Sequence, residues 1–153
     1  MVDMKKIFEA LKIIVNSLKN EKFNWAIAGS TNLLLQGIKV KPRDIDLITT
    51  KQGAYKIEKI LKDYKVEGIR FKESKKLAGY YGKFMIKNIP VEVIGEIRRK
   101  NLYLPYLKSR IFVEVNRMKI PCLSLEAEAR GYKFLGRRKK YNLIKSFNRK
   151  VNN

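Results

Sequence analysis

The first twenty residues carry the clearest periodic pattern of apolar positions in the chain. Apolar side chains recur there at intervals of three and four residues, which predicts an amphipathic helix from about residue 3 to residue 19. They are Ile7, Phe8, Leu11, Ile14, Val15 and Leu18. Charged residues such as Asp3 and Lys12 interrupt the stretch, so the pattern indicates a helix on a core and not a signal peptide or a membrane span.

The next segments alternate between strand-like and helix-like patterns. In order they are a buried strand at NWAIAG, a short helix at STNLLLQG, a strand at DIDLITT and a helix over residues 53–64. Ser30 is a favourable N-cap for the short helix, and Gly37 is a natural stop for it. Pro42 breaks the chain before the second strand.

The second half of the chain predicts strands first and helices afterwards. Its elements are strands at EGIRFK, GKFMIKN and VEVIG, a hairpin at IFVEVNRMKIPCL, a helix that reaches Leu135 and a basic helix that ends near Lys150. A tight turn over residues 88–90 is expected to join the second and third of these strands. Ser124 is the predicted N-cap of the first helix, with Glu126 and Glu128 in its first turn, and Gly136 ends it.

This order of elements predicts the fold class. A helix, a strand, a helix, a strand, a helix and then several strands are typical of an α/β (α+β) fold with a mixed β-sheet flanked by helices. The chain is 153 residues long and contains no repeat or low-complexity linker. We therefore expect a single domain over residues 1–153, with a basic helical tail over residues 124–150.

The residue types present restrict the chemistry available. One cysteine and no histidine exclude an intramolecular disulfide framework and argue against a zinc site. A metal site in this chain would use carboxylates, which suits Mg²⁺ or Mn²⁺. The lone Cys122 favours a reducing compartment, and no apolar stretch is long enough to cross a membrane. The expected location is therefore the cytoplasm.

A strong positive charge is the most unusual compositional feature. The chain has 35 lysines and arginines against 14 acidic residues, a formal net charge of +21. Such a charge indicates a polyanionic partner, for which nucleic acid, and RNA such as tRNA in particular, is the first candidate. The alternative is a lysine-rich composition of the source organism with no functional meaning, because most of these lysines would be solvated in either case.

Two aspartates on one predicted strand are the first candidates for chemistry. In DIDLITT, Asp44 and Asp46 alternate with Ile45 and Leu47, so both carboxylates would share one face of the strand. Two acids on one strand face repel each other, which favours a cation between them. The alternative is an exposed strand face with two solvated acids.

A third acid makes the metal hypothesis more specific. Glu92 lies between Val91 and Val93 in another predicted strand, so it also lies opposite an apolar face. If the two strands are neighbours, three carboxylates converge, which is a ligand set for hard divalent cations and for metal-assisted phosphoryl transfer. Glu96 is the competing third ligand, although we expect it beyond the strand end.

Gly29 and Ser30 stand where a strand passes into a helix, about fifteen residues before Asp44. A glycine lets the backbone approach a phosphate closely, and a helix start with a hydroxyl offers donors to phosphate oxygens. The alternative is an ordinary strand-to-helix turn with a serine cap. The pair becomes informative through its position ahead of the Asp-x-Asp strand.

These motifs resemble a known family. GSTNLLLQG followed by DIDLI is similar to the signature of the DNA polymerase β-like nucleotidyltransferases, above all the small prokaryotic branch with AbiEii-type abortive-infection toxins and minimal nucleotidyltransferases. The chain departs from that signature at two places. Ser30 stands where the family has its second glycine, and Pro42 and Arg43 stand where the family has the loop threonine. The resemblance covers residues 23–96, the expected catalytic part.

The resemblance implies a role for each motif residue. Gly29 and Ser30 would hold the triphosphate of the incoming nucleotide. Asp44 and Asp46 would bind the metal, and Glu92 would complete this set and help activate the acceptor hydroxyl. Relatives also contact phosphate through a lysine on a later helix, and residues 124–145 resemble that region weakly. The resemblance therefore suggests Lys133 as a further nucleotide-binding residue. A Lys-Asp pair common there is absent, and RRKKY stands in its place.

The C-terminal tail suggests a nucleic-acid contact. No acid follows Glu128, whereas basic residues are frequent, and four of them are consecutive. They are Arg137, Arg138, Lys139 and Lys140. We expect these four to neutralise phosphates of a nucleic acid. The aromatic residues between the charges are expected to pack inward. They are Tyr132, Phe134, Tyr141 and Phe147.

The function predicted from the sequence is metal-dependent transfer of a nucleoside monophosphate from a nucleoside triphosphate to a hydroxyl acceptor, with RNA as the expected acceptor. Two other hypotheses remain open. One is a non-catalytic nucleic-acid-binding module on the same fold. The other is a toxin–antitoxin component that modifies a partner protein.

Overall fold

The computed structural model describes residues 3–99, 102–104 and 106–152. The helices of this part are α1 Met4–Leu18, α2 Gly29–Leu35, α3 Lys51–Ile60, α4 Leu125–Leu135 and α5 Arg138–Asn152. The strands are β1 Trp25–Ala28, β2 Ile45–Thr49, β3 Lys65–Glu73, β4 Ala78–Ile86, β5 Ile89–Arg99, β6 Leu102–Tyr103, β7 Arg110–Val115 and β8 Met118–Leu123. Short 3₁₀ helices occupy Lys62–Tyr64 and Tyr106–Ser109.

The described strands form one mixed sheet in the order β3-β4-β5-β2-β1-β8-β7, with the short β6 paired to β5. Two of the pairings, β2 with β5 and β1 with β8, are parallel, and the others are antiparallel. The predicted fold class, an α/β fold with a mixed sheet flanked by helices and a basic helical C-terminal segment, is confirmed. Within the described residues, no helix is long and apolar enough to cross a membrane.

The main core lies between one face of the sheet and helices α1 and α3. The predicted face of α1 is buried there: Ile7, Leu11, Ile14 and Leu18 are fully inaccessible to solvent, and the Asp3 side chain caps the helix by accepting a hydrogen bond from the Lys5 amide. A second cluster on the opposite face packs the start of α4 against β1 and β2 through Ala127 and Ile48. This second face carries the site described below.

The last two helices pack against α2 through a third apolar cluster. Tyr132 of α4 and Ile144 of α5 meet Leu33 of α2 there, with Tyr141 and Phe147 packed around them. The inward packing expected for these three aromatic residues is therefore confirmed. The caps of α4 are also as predicted: the Ser124 hydroxyl accepts from the Ala127 amide at 3.2 Å, and Gly136 ends the helix in the left-handed conformation.

Several predicted boundaries are wrong. Helix α2 begins at Gly29, so Ser30 lies in its first turn and does not cap it. Helix α3 begins at Lys51, earlier than expected, because the Thr50 hydroxyl caps it by accepting from the Gly53 amide. The turn between β4 and β5 is Lys87–Asn88 and not residues 88–90; both residues have positive φ, as a two-residue hairpin turn requires.

Candidate active site

A row of charged residues crosses the sheet and forms the floor of the candidate site. In the parallel pair β2–β5, Asp46 lies directly opposite Glu92, and in the antiparallel pair β4–β5, Glu92 lies opposite Lys83. Side chains at such paired positions lie on one face about 5 Å apart. The sequence analysis required β2 and β5 to be neighbours for the carboxylates to converge. The structure shows that they are neighbours, and it places Asp46 beside Glu92.

Asp44 lies just outside this row. β2 begins at Ile45, so Asp44 belongs to the end of the preceding loop and its side chain is exposed. The Asp44 carbonyl accepts a hydrogen bond from the Thr31 hydroxyl at 2.7 Å, which ties this loop to the first turn of α2. Three acids thus converge at the end of β2, and two of them are partly buried.

The surroundings of Asp46 and Glu92 raise the pKa of both carboxyl groups and so disfavour their charged forms. Burial, together with the charges of Asp44, Glu92 and Glu128, raises the pKa of Asp46 to about 7, although the charge of Arg137 offsets part of the effect. Burial also raises the pKa of Glu92, opposed by the charge of Lys83. A cation at this position would relieve the repulsion between the carboxylates.

The donor set fits Mg²⁺ or Mn²⁺ in one particular manner. Within residues 3–99, 102–104 and 106–152, no three acidic, histidine or cysteine side chains are arranged to enclose a metal ion. Mg²⁺ is commonly bound by one or two carboxylates together with substrate phosphates, and seldom by a cage of protein ligands alone. Asp44 and Asp46 can supply those carboxylates, with nucleotide phosphates completing the coordination.

Glu96, the alternative third acid, is not beyond the strand end as expected. It lies inside β5, where its positive φ of 53° marks an irregularity of the strand, and its carboxylate pairs with Arg98 at 3.1 Å. Its charge acts on Lys51 at the start of α3, whereas the charges that act on Asp46 come from other residues. The geometry therefore brings Glu92, and not Glu96, to the aspartates.

Gly29 gives Asp46 the space that its side chain occupies. The residue has a positive φ of 73°, and a Cβ atom at this position would stand 2.5 Å from Oδ2 of Asp46. Any other residue would be strained in its backbone and would collide with the carboxylate. The Gly29 amide donates to Glu128 Oε1 at 2.8 Å, so this N–H already has a partner. This N–H is therefore not free to donate to a phosphate, while Gly29 itself lines the cavity described below.

Glu128 is the site residue that the sequence analysis missed. The sequence analysis placed it only in the first turn of a helix, whereas the structure buries it to 6% exposure. Its carboxylate accepts from the Gly29 amide and, at 3.1 Å, from Asn32 Nδ2. Burial raises its pKa to about 7, although these hydrogen bonds oppose the shift. The available signal was helical spacing, since Glu128 lies one turn before the buried Tyr132.

A cavity of about 240 Å³ opens beside these residues, between the sheet and α4. Its polar lining residues include Ser30, Asp44, Asp46, Glu128 and Arg137. Its apolar lining residues include Ile48, Ile94, Ile97, Leu123 and Phe134. A cavity lined by both kinds of residue suits a ligand that has polar groups and an apolar part.

The four consecutive basic residues of the tail do not act as one block. Arg137 lines the cavity, and Lys140 is partly buried, with its Nζ donating to the Ser30 hydroxyl. Burial and the charge of Arg137 lower the pKa of Lys140. Arg138 and Lys139 are exposed. The expected grouping of these residues as one nucleic-acid contact thus divides into a pair at the cavity and a pair on the surface.

Lys133, expected at the nucleotide, lies elsewhere. It is exposed on α4 and does not line the cavity. Lys140, and not Lys133, is the tail lysine that contacts the predicted phosphate-binding residue Ser30. The sequence could not distinguish the two lysines, because the position of Lys140 depends on how α5 packs against α2.

A mixed sheet that carries an Asp-x-Asp motif, a third acid on the adjacent parallel strand and a strand–glycine–helix turn beside them defines a nucleotidyltransferase. The comparisons with known proteins agree with this class. The chain belongs to the aminoglycoside-2''-adenylyltransferase family, whose sequence model matches residues 10–147. No curated protein sequence is significantly similar to it. The protein is an enzyme of the nucleotidyltransferase class.

Solved structures support the same assignment. A protein of Thermotoga maritima named as a candidate nucleotidyltransferase has a TM-score of 0.83 and 35% identity, covering 98% of this chain and 96% of its own. The lincosamide antibiotic adenylyltransferase LnuA, bound to lincomycin, has a TM-score of 0.60 and 19% identity over 95% of this chain and 98% of its own.

A third structure is ANT(2'')-Ia in complex with adenylyl-2''-tobramycin, with a TM-score of 0.59 and 16% identity over 90% of this chain and 87% of its own. At these identities, the two antibiotic-modifying enzymes establish the shared fold. The comparisons support the wider nucleotidyltransferase resemblance and do not place the chain in the abortive-infection branch.

Proposed function

We propose that this enzyme transfers a nucleoside monophosphate from a nucleoside triphosphate to a hydroxyl acceptor, with Mg²⁺ or Mn²⁺ bound by Asp44 and Asp46 and bordered by Glu92. The observation that carries the proposal is the register of β2 and β5, which sets Glu92 opposite Asp46 beside a cavity that Arg137 and Ser30 line, with Lys140 bonded to Ser30. The metal would neutralise charge on the transferred phosphate and its leaving group.

The protein's own groups have separate tasks in this reaction. Glu92 accepts the proton of the acceptor hydroxyl, and burial supports this role by raising its pKa above that of a free glutamate. The hydroxyl oxygen forms a bond to the α-phosphorus as the bond from that phosphorus to the bridging oxygen breaks. Pyrophosphate leaves with that oxygen. Lys140, Arg137 and the Ser30 hydroxyl bind the phosphates.

We further propose ATP as the donor. The family model and the two antibiotic-modifying relatives are named for adenylyl transfer, and the apolar lining residues of the cavity offer a surface for a planar base. The assignment of ATP as the donor therefore rests on the relatives.

The experiment supplies each α-labelled nucleoside triphosphate in turn, with Mg²⁺, to the purified protein and a mixture of hydroxyl acceptors that includes total tRNA, sugar phosphates and tobramycin. We expect label to appear on an acceptor with ATP, and expect Asp46→Asn and Glu92→Gln to remove it. Glu96→Gln is the matched control and should keep the wild-type rate. Transfer that survives Glu92→Gln but not Glu96→Gln would overturn the assignment of the third acid.

RNA remains our specific proposal for a macromolecular acceptor, supported by the net charge of +21 and by the exposed pair Arg138 and Lys139. Counterion release makes the logarithm of such an affinity fall with the logarithm of salt concentration, by about 0.7 per phosphate contacted on a single strand. Fluorescence anisotropy over a salt series should give a flatter slope for Arg138→Ala with Lys139→Ala than for the wild type. Equal slopes would exclude this pair as the RNA contact.

A further inference from the structure

A second cavity, of about 250 Å³, adjoins the acids on the side away from α4. Asp44, Lys83 and Glu92 line it together with the apolar residues Val66 and Met85. Lys83 and Met85 come from β4, and Glu92 from β5, so this cavity lies over the strands farther from the Gly29 turn. The residues that this cavity shares with the first one indicate what it binds.

The two cavities meet at the acids. Asp44 lines both, whereas Asp46 lines only the first and Glu92 only the second. A group transfer needs two substrates whose reacting atoms meet at one point, and each cavity supplies one place beside a shared carboxylate. Because Ser30 and Arg137 line the first cavity, the nucleotide belongs there. The second cavity is left for the acceptor, next to the base Glu92.

The charge of this second cavity indicates what kind of acceptor fits. Lys83 faces Glu92 across the β4–β5 pair, yet among the described residues neither takes part in an ion pair. The next acid along the row, Glu67 on β3, is held by Lys72 at 3.1 Å. Once metal and nucleotide compensate the aspartates, Lys83 is the charge that an acceptor meets beside the base.

We propose that the second cavity is the acceptor site and that it takes a hydroxyl compound bearing a phosphate group, with the phosphate bound by Lys83 and the hydroxyl directed to Glu92. This inference rests on the proposed nucleotidyl transfer. Lysine is a common phosphate ligand, and a polycationic acceptor such as an aminoglycoside would be repelled both by Lys83 and by the net charge of +21. A sugar phosphate and the end of an RNA chain share the required chemistry.

The first test measures binding and does not need the true acceptor. Wild-type protein loaded with Mg²⁺ and a non-hydrolysable ATP analogue is titrated with inorganic phosphate, and the backbone amide signals of β4 and β5 are followed by NMR. We expect saturable shifts centred on Lys83 and Glu92, lost in Lys83→Gln. They should persist in Lys119→Gln, which changes an exposed lysine of β8 that lines neither cavity. Absence of these shifts in the wild type would overturn the proposal.

The second test compares acceptors in the labelled transfer assay: a mixture of sugar phosphates, a short RNA, a neutral polyol and tobramycin. We expect transfer to a phosphate-bearing acceptor, and a loss of at least tenfold in kcat/KM for it in Lys83→Glu, with the KM for ATP unchanged. Sugar phosphate and RNA are separate arms, so the productive one identifies the source of the phosphate.

The outcomes separate this inference from the proposed function. Transfer to tobramycin or to the neutral polyol, with none to either phosphate-bearing acceptor, overturns the acceptor class and leaves nucleotidyl transfer intact. A wild-type rate in Lys83→Glu on a phosphate-bearing acceptor also overturns it. Failure of the protein to bind the ATP analogue, or to transfer label to any acceptor, overturns the proposed function itself.

Discussion

Two groups of like charges stand at this site, and the fold holds them differently. Asp46 and Glu92 lie opposite each other on paired strands, where the backbone keeps their side chains on one face about 5 Å apart. Arg138, Lys139 and Lys140 follow one another at the start of a helix, where each residue turns by about 100° from the last. The acids are therefore forced together, while the bases separate.

The difference teaches that neighbours in the sequence need not be neighbours in function. The acids come from strands far apart in the chain and form one unit with raised pKa values. The bases are consecutive, yet Lys140 contacts Ser30 while Arg138 and Lys139 are exposed. We therefore expect that changing one acid removes the function of the whole acid pair. We also expect that changing one basic residue leaves the function of its neighbours intact.

The largest expected effect comes from breaking the acid unit. Asp46→Asn should lower the transfer rate by about 10²–10³ or more, the range seen when one group that stabilises transition-state charge is removed. The same change should not destabilise the metal-free protein, because it removes a partly buried and repelled carboxylate. Rates from the labelled assay and melting temperatures in a chelator test both statements. A rate within threefold of the wild type would show that Asp46 is outside the catalytic unit.

The next largest effect concerns Glu128, which joins the acid side to α4. Glu128→Ala should reduce the free energy of unfolding by about 1–3 kcal/mol, because the Gly29 amide is left without its acceptor. Glu128→Gln keeps an acceptor oxygen and should cost less. Glu126→Ala is the matched control, since this acid lies exposed on the same helix and its removal should change little. Urea unfolding gives the comparison, and equal losses for positions 126 and 128 would contradict it.

Two neighbouring basic residues, Lys139 and Lys140, should differ in their effect on nucleotide affinity. Lys140→Ala should weaken binding of an ATP analogue by about tenfold, equivalent to about 1.4 kcal/mol, through loss of one charge-assisted contact to phosphate. Lys139→Ala, one position away and exposed, should leave this affinity unchanged. Calorimetric titration of both variants decides the matter. Similar losses in the two would mean that the segment acts only through its overall charge.

The smallest expected effect is a pH dependence of stability in the metal-free protein. Folding raises the pKa of Asp46 from 3.8 to about 7, so the folded state binds more protons than the unfolded state between these values. Stability is then full at low pH and falls as the pH rises through 7. We expect the melting temperature in a chelator to fall by about 2–4 °C between pH 5.5 and 7.5.

Asp46→Asn provides the control for this pH dependence. It should flatten the profile in part, leaving the shares of Glu92 and Glu128, whose pKa values are raised in the same sense. Mg²⁺ with an ATP analogue should remove much of the decline in the wild type by stabilising the ionised aspartate. A wild-type melting temperature that rises over this interval in the chelator would contradict the raised pKa.

The sequence predicted most of what depends on local pattern. Alternation placed the β2 strand, helical spacing placed α1, and cap residues such as Ser124 and Gly136 set the ends of α4. Asp46 and Glu92 could be selected because each interrupts an apolar strand. Their adjacency could only be stated as a condition, since it depends on strand order, which periodicity does not determine.

What the sequence could not provide is the identity of polar groups that contact across the fold. Glu128 was placed only in the first turn of a helix, and the docking of α4 against Gly29 buries it. Lys140 stood in a uniform basic run, and the packing of α5 on α2 distinguishes it from Lys139. Glu96 was expected past the strand, because the continuation of β5 through a residue with positive φ leaves no simple mark in the sequence.

The hydrogen bond between Gly29 and Glu128 joins positions 99 residues apart, and this has a consequence for biosynthesis. A ribosome adds about 5–20 residues per second, so Gly29 waits roughly 5–20 s for its partner to be made. Until α4 is made, an emerging chain that already carries both aspartates lacks the α4 wall of the cavity beside them. A polypeptide that has not reached α4 therefore has no enclosed cavity at Asp46 in which to hold a ligand.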